Sequence, residues 1–342
     1  MKRSPIKFGK RQLGLEQPAV VVAEIGVNHE GNIQDCLRLI EAAAKAGADA
    51  VKLQTIDPDE NYVPGSESHA LFQKARLSQE ETCLAFAKAR QLGMEIFTTA
   101  GDLATLAWVD ELQPAAHKIS SGLITHLPLI RAAAATGRPL ILSTGMTGTE
   151  EIREAVEAAR LGGCRDLCLL QCTSLYPAPI SQVHLRAIRP MMEAFDAWVG
   201  FSDHTCDPEV PALAVAAGAV MIEKHFSLDP TRPGFDHAIS VDSNGLSDLV
   251  RKVRKAEICL GEGNKACIPV QTQAAERYLR KIVARRDIDA GEPLDLSNVG
   301  FMRTPDGQEG LSPAAWEAVA GKHVARPMRR FQTIRRADLL DP

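Results

Sequence analysis

Aromatic residues are scarce in this 342-residue chain, at 5% against 45% for all hydrophobic types. That shortage argues against the aromatic-rich core of a β-sandwich. Ala, Val, Leu and Ile must build the interior, as they do in a parallel α/β sheet. An excess of either charge is also lacking, since 39 Lys and Arg meet 43 Asp and Glu for a net charge of −4. No global field therefore draws the chain to nucleic acid or to an anionic membrane. If the substrate is anionic, its cations must be local. No stretch reaches the roughly 18 consecutive apolar residues that span a bilayer. The basic start, Met1-Lys2-Arg3-Ser4, is not followed by the apolar core of a secretory signal. The expectation is a cytoplasmic protein. Its eight scattered cysteines, Cys164, Cys168 and Cys172 included, then read as ordinary reduced thiols.

The chain has a repeating unit over its first 260 residues: a short β-rich run, a polar turn, then an Ala/Leu helix of period near 3.6. Strands are expected at 19–25, 50–53, 94–97, 116–119, 140–142, 167–170, 197–199 and 219–222. Helices are expected between and after them, among them 33–46, 79–92, 150–161, 208–217 and 246–260. Several should end on a glycine cap at Gly47, Gly93, Gly137, Gly162 or Gly218. Eight such units fit a closed (β/α)8 TIM barrel, with a doubly wound open sheet as the alternative. The first strand lacks the Gly-x-Gly-x-x-Gly turn of a dinucleotide-binding sheet. The long connection 55–77 reads as a lid or substrate loop. Residues 1–260 are thus the barrel, 261–280 a linker, and 281–342 a small β-rich domain with strands at 281–284, 294–296, 299–302 and 323–325.

Polar residues collect where the expected strands end. Glu24, Lys52, Thr99, Lys118, Ser121, Ser143, Ser174, Tyr176, Ser202, His204, Glu223 and His225 all stand there, and Asp236 follows in the last loop. A barrel brings its strand ends to one face, where such enzymes place their chemistry. Lysines and hydroxyls suit a phosphate or a carboxylate. His204 and His225 lie 21 residues apart, one strand–helix–strand step. Two imidazoles on adjacent strands suit a catalytic Mn²⁺, Fe²⁺ or Zn²⁺. The set describes a small phosphorylated or carboxylated substrate and a metal-assisted step at a carbonyl.

These segments, in this order, resemble the sialic acid (N-acetylneuraminate) synthase family. The matching runs are Ala-Glu-Ile-Gly-Val-Asn-His-Glu-Gly-Asn (23–32), Val-Lys-Leu-Gln-Thr (51–55), Lys-Ile-Ser-Ser-Gly (118–122), Leu-Ser-Thr-Gly-Met (142–146), Gln-Cys-Thr-Ser-Leu-Tyr-Pro-Ala-Pro (171–179), Gly-Phe-Ser-Asp-His-Thr (200–205), Ile-Glu-Lys-His-Phe (222–226) and Arg-Pro-Gly-Phe-Asp-His-Ala-Ile-Ser (232–240). The tail resembles the SAF domain, which is similar to type III antifreeze proteins.

The resemblance implies a nonulosonic acid synthase, a transferase that condenses phosphoenolpyruvate with an N-acyl hexosamine. The products would be a nine-carbon α-keto sugar acid and phosphate. Lys52, Thr99, Lys118, Ser121, Ser143, Ser174 and Ser202 would hold phosphoenolpyruvate. His204 and His225 would bind a divalent metal, Mn²⁺ with Mg²⁺ or Co²⁺ as alternatives. Glu24, Tyr176 and Asp236 would meet the open-chain sugar, with Glu24 as the acid–base or electrostatic group. The family is a domain-swapped homodimer, and Arg303, in Phe301-Met302-Arg303-Thr304-Pro305, would enter the partner's site. The chain departs from the family pattern at Leu123, Ser174, Ala100-Gly101-Asp102 and the arginine loop. N-acetylmannosamine and a 2,4-diacetamido-trideoxy hexose therefore both stay open as acceptors. Two rival readings are a phosphoenolpyruvate-condensing synthase for a phosphorylated aldose and a non-catalytic sugar-binding protein.

Overall fold

The computed structural model describes residues 3–340 apart from 264, 267 and 306. The chain divides into two compact units, Met1–Glu262 and Gly263–Pro342. The first opens with an antiparallel hairpin of β1 (Ile6–Phe8) and β2 (Arg11–Leu13). Its Phe8 ring stands edge-on to Phe97 at 5.4 Å between centroids.

Eight parallel strands then close into a barrel: β3 (Val20–Gly26), β4 (Ala50–Thr55), β5 (Glu95–Ala100), β6 (His117–Ile119), β7 (Leu140–Ser143), β8 (Leu167–Cys172), β9 (Trp198–Asp203) and β10 (Met221–His225). The closing pair sets His225 beside Glu24 and Glu223 beside Val22. The closed order rules out the doubly wound sheet. Side chains alternate along a strand, so residues two apart share a face. Glu24, Lys52, Ser143, Ser202 and Glu223 line one cavity, and two positions before each stand Val22, Ala50, Ile141, Gly200 and Met221, all buried. Apolar packing beneath thus supports a polar layer above.

Helices wrap the barrel for ordinary reasons. In Ile33–Ala46, Cys36, Leu39, Ile40, Ala43 and Ala46 are buried, a stripe of helical period. Asn32 caps the start by accepting from the amides of Gln34 and Asp35. Full burial of Leu39 or Ile40 contributes about 1.5–3 kcal/mol each. The expected caps Gly47, Gly93, Gly137 and Gly218 all take positive φ. At Thr149–Leu161 the turn comes one residue late, because Gly162 keeps φ at −75° and Gly163 takes +94°.

The excursion at 55–77 is not an open loop. It folds into the helices Pro58–Asn61 and Glu67–Ala75, tied by Asp57–Arg76 (3.1 Å), Asp59–His69 (2.8 Å) and stacking of Tyr62 on Phe72. Its residues Ile56, Asp57, Phe72, Ala75 and Arg76 line a separate cavity of about 120 Å³.

The second unit has its own core of Ile282, Ile288, Leu294, Val299, Val324, Met328 and Ile334. Its sheet pairs β11 (Lys281–Ala284) with β12 (Val299–Met302). Of the other two expected strands, 323–325 shrinks to isolated bridges, His323 to Pro293 and Val324 to Leu339, and 294–296 forms no ladder beyond that bridge at Pro293. Pro293 has no amide to give, and the Asp295 carboxylate takes the amides of Ser297 and Asn298, turning the chain away from a ladder. Within the expected linker, Thr272–Tyr278 is helical. In the expected turn 305–307, Asp306 lies outside the described residues. Among the described residues every cysteine is free, and Cys267 lies outside them.

Candidate active site

Four buried charges form the floor of a cavity of about 300 Å³ at the C-terminal ends of the barrel strands. Lys52 Nζ stands 3.2 Å from Glu24 Oε2 and 3.1 Å from Glu223 Oε2. Lys118 Nζ stands 3.7 Å from Glu223 Oε1 and donates to Ser143 Oγ at 2.7 Å. Ser202 donates to Glu223 Oε1 at 3.0 Å, and Gln54 donates to Glu24 Oε1 at 3.0 Å. An ammonium donating to Ser143 leaves that hydroxyl's own proton free for a ligand. The hydroxyl of Ser202 is already spent on Glu223.

The two carboxylates are driven apart electrostatically. Burial pushes Glu24 up to about 7, against the pull of Lys52. Burial also works against the charge on Glu223, but Lys118 and Lys52 together outweigh it and hold this carboxyl at about 2. Burial lowers Lys118 to about 8, partly offset by Glu223. Lys52 is raised despite its burial, because Glu223 and Glu24 both face it. Pairs of titratable groups with such divergent settings mark functional sites.

Above this floor lie His204 and His225, with ring centroids 5.4 Å apart. Tyr176 stacks on His204 at 4.4 Å. His204 Nδ1 meets the carbonyl of Thr173 at 2.8 Å, so it carries the proton and leaves Nε2 as a lone pair. His225 Nδ1 is buried without a hydrogen bond, and Asp236 Oδ2 approaches it at 3.6 Å. Burial lowers both imidazoles, and the neighbouring His204 lowers His225 further. Two neutral rings, one with an uncommitted buried nitrogen, fit a divalent metal. Among the described residues no set of three or more His, Cys, Asp or Glu side chains gathers as a ready metal cage. A metal here would need ligands from substrate or water.

Of the residues singled out in the sequence, Glu24, Lys52, Lys118, Ser121, Ser143, Ser174, Tyr176, Ser202, His204, His225 and Asp236 line this one cavity. Thr99 does not appear in that lining; its hydroxyl is buried beside Lys118 on the next strand and makes no hydrogen bond. Arg303 belongs to the second unit, where its guanidinium lies 5.0 Å from the Tyr278 ring centre. Leu123 packs against the barrel core and brings no polar group. Six lining residues, Gln54, Ser120, Gly122, Met146, Cys172 and Glu223, carried no assigned role. The alternation that puts His225 inside puts Glu223 inside too, which is the signal for it. Gly145 completes the wall: a Cβ there would run into Ser174, Ser121 and Cys172, and its amide donates to Ser121 Oγ at 3.1 Å.

A closed (β/α)8 barrel with lysines, hydroxyls and two histidines at one mouth has the layout of a barrel enzyme. The chain belongs to the NeuB family, whose profile matches residues 39–265; the SAF domain matches residues 280–340. It is similar to the N,N'-diacetyllegionaminic acid synthase of Legionella pneumophila, at 35% identity over 95% of this chain and 96% of that one. It is also similar to the pseudaminic acid synthase of Helicobacter pylori, at 31% identity over 91% and 94%. Among solved structures, the N-acetylneuraminic acid synthetase of Leptospira borgpetersenii, in complex with citrate, matches with a TM-score of 0.77 and 31% identity, over 80% of this chain and 96% of that one. The chain is accordingly a nonulosonic acid synthase, a transferase that forms carbon–carbon bonds. Among the described residues no helix is long and apolar enough to cross a membrane.

Proposed function

We propose that the enzyme condenses phosphoenolpyruvate with an N-acyl hexosamine, a water adding at C2 of phosphoenolpyruvate as phosphate leaves, to give a nine-carbon α-keto sugar acid. The acceptor is N-acetylmannosamine or a 2,4-diacetamido-trideoxy hexose. The carrying observation is the pair of buried lysines beneath an open cavity ringed by serines. Phosphoenolpyruvate has a phosphate and a carboxylate, two anionic groups for two cations. Lys52, Lys118 and the hydroxyls of Ser121, Ser143 and Ser174 bind it, with Thr99 behind them, and Ser202 joins them once its proton turns from Glu223 to the anion. Glu24, Tyr176 and Asp236 meet the sugar. Glu24, with its carboxyl near neutrality, is suited to hold a proton and return it.

His204 and His225 are the residues that would hold a divalent metal, Mn²⁺ or else Mg²⁺ or Co²⁺. Such an ion would polarise the aldehyde of the sugar. Closure of the barrel's apolar layers below keeps water to the mouth, and Glu24 and Lys52 set the charge that the reacting carbons meet. The rival acceptor, a phosphorylated aldose, would need further cations. Besides Lys52 and Lys118, the lining offers no lysine or arginine. The test is phosphate release from phosphoenolpyruvate with Mn²⁺ and a panel of hexosamines. Release with an N-acyl hexosamine is expected; release only with a phosphorylated aldose, or with none, overturns the reading.

The reading extends to a cytoplasmic, domain-swapped homodimer in which Arg303 serves the partner's site. Arg303→Ala and Lys118→Ala should each abolish most sugar turnover. Mixing the two variants under subunit exchange should restore activity, because one site of each mixed dimer is then intact. A mixture as inactive as its components means the arginine does not act in trans.

A further inference from the structure

We infer that Glu30 and His237 form a latch between the loop after β3 and the loop after β10, and that this latch positions Asp236 for the sugar. The inference rests on the sugar-binding role proposed for Asp236. Asp236 sits in a 3-10 turn entry, not on a strand, so the barrel ladder does not fix it. Something else must, since Asp236 Oδ2 stands 3.6 Å from His225.

The β3 loop supplies that restraint. Asn28 Oδ1 accepts the Asp236 amide at 3.1 Å. The Asn28 carboxamide nitrogen donates to Phe226 O and to Ser240 Oγ, both at 3.0 Å, and Ser240 donates back to the Asp236 carbonyl at 2.7 Å. Next in sequence, His237 is buried and bridges the loops. Its Nε2 meets Glu30 Oε1 at 3.0 Å and its Nδ1 meets Ser227 Oγ at 2.7 Å. A carboxylate only accepts, so Nε2 donates to Glu30, while Nδ1 pairs with the Ser227 hydroxyl. Arg232 adds a second cross-loop contact to Glu30 at 2.5 Å.

Both loops are strained where they meet. Glu30 has φ of 53° and Phe235, immediately before Asp236, has φ of 47°. Non-glycine residues hold that conformation only when their surroundings over-determine it, and such residues gather at functional sites. The serine–histidine–carboxylate chain resembles a hydrolytic triad, but Ser227 is buried and lines no described cavity that holds a substrate. Its geometry serves position, not nucleophilic attack.

Glu30→Ala should raise the KM for the sugar acceptor about tenfold or more, as small misplacements of a contact group do. The dissociation constant for phosphoenolpyruvate should stay within about twofold, because its ligands lie on the barrel floor. Glu30→Gln keeps an oxygen for the His237 proton and should restore near wild-type acceptor KM. If Glu30→Ala fails to fold, Ser227→Ala breaks the other end of the chain with the same expected split. A wild-type acceptor KM in the alanine variant overturns the latch, and so does equal impairment by alanine and glutamine. Wild-type enzyme that fails to bind phosphoenolpyruvate would instead refute the proposed function and leave the latch to be read from the position of Asp236 in a crystal structure of Glu30→Ala. Displacement of Asp236 from His225 there supports it; an unmoved Asp236 overturns it.

Discussion

Lys52→Ala should destabilise the folded chain by about 3–5 kcal/mol at neutral pH, the loss seen when one partner of a buried ion pair is removed. Lys52 alone touches both Glu24 and Glu223. Without it Glu223 keeps Lys118 and Ser202, but Glu24 keeps only the Gln54 carboxamide. The stranded carboxylates would then bind protons more tightly in the folded than in the unfolded chain. Stability from that difference is present at low pH and lost as pH rises through the folded-state pKa. The deficit against wild type should therefore narrow as the pH falls toward about 5, into the carboxylate range. Thermal melts at both pH values check this. Lys52→Met fills the space without the charge, so a methionine variant as stable as wild type would mean the cavity, not the charge, mattered. Phosphoenolpyruvate affinity should fall in either variant by about tenfold to a hundredfold, the scale of one lost charge-assisted contact. An unchanged binding isotherm would contradict the assignment of Lys52.

Stripping divalent metal should abolish turnover, and Mn²⁺ should restore it. An ion that polarises a carbonyl contributes several kcal/mol to the barrier, and about 1.4 kcal/mol is tenfold in rate, so a loss of about a thousandfold is expected. His204→Ala and His225→Ala should each lose Mn²⁺ binding by calorimetry. Binding of phosphoenolpyruvate should survive in both, since its lysines lie on other strands. Both rings are held neutral by burial, which is the state that can ligate. Full activity after exhaustive chelation would remove the metal from the mechanism.

The barrel was legible because each unit announces itself locally. Gly47 closes the helix Ile33–Ala46 in the sequence as in the structure. Strand C-termini were read short for a physical reason. The apolar run stops where the interior turns polar, yet the ladder continues through Thr98–Ala100, Gln171–Cys172, Ser202–Asp203 and Glu223–His225. The same feature left Glu223, though named at its strand end, without a role among Glu223-Lys224-His225. Only alternation separates them, sending Lys224 outward to a buried pair with Asp203 at 3.0 Å and Glu223 inward to the lysines. Which carboxylate meets which ammonium depends on the register of strands far apart in sequence, and no local pattern encodes it. Proline and glycine mask the two short capped helices within the excursion at 55–77.

The lysines of the floor come with rivals already seated. Glu24 and Glu223 occupy the same donors that an incoming anion would use. Tethered groups compete at an effective concentration of about millimolar or above, whatever the surrounding solution holds. A stray chloride or a single carboxylate gains too little from one ammonium to win that contest. A ligand with two anionic groups at the right spacing engages both lysines at once and can. If the lysines hold such a ligand, the built-in carboxylates would act as a filter, trading raw affinity for rejection of small anions.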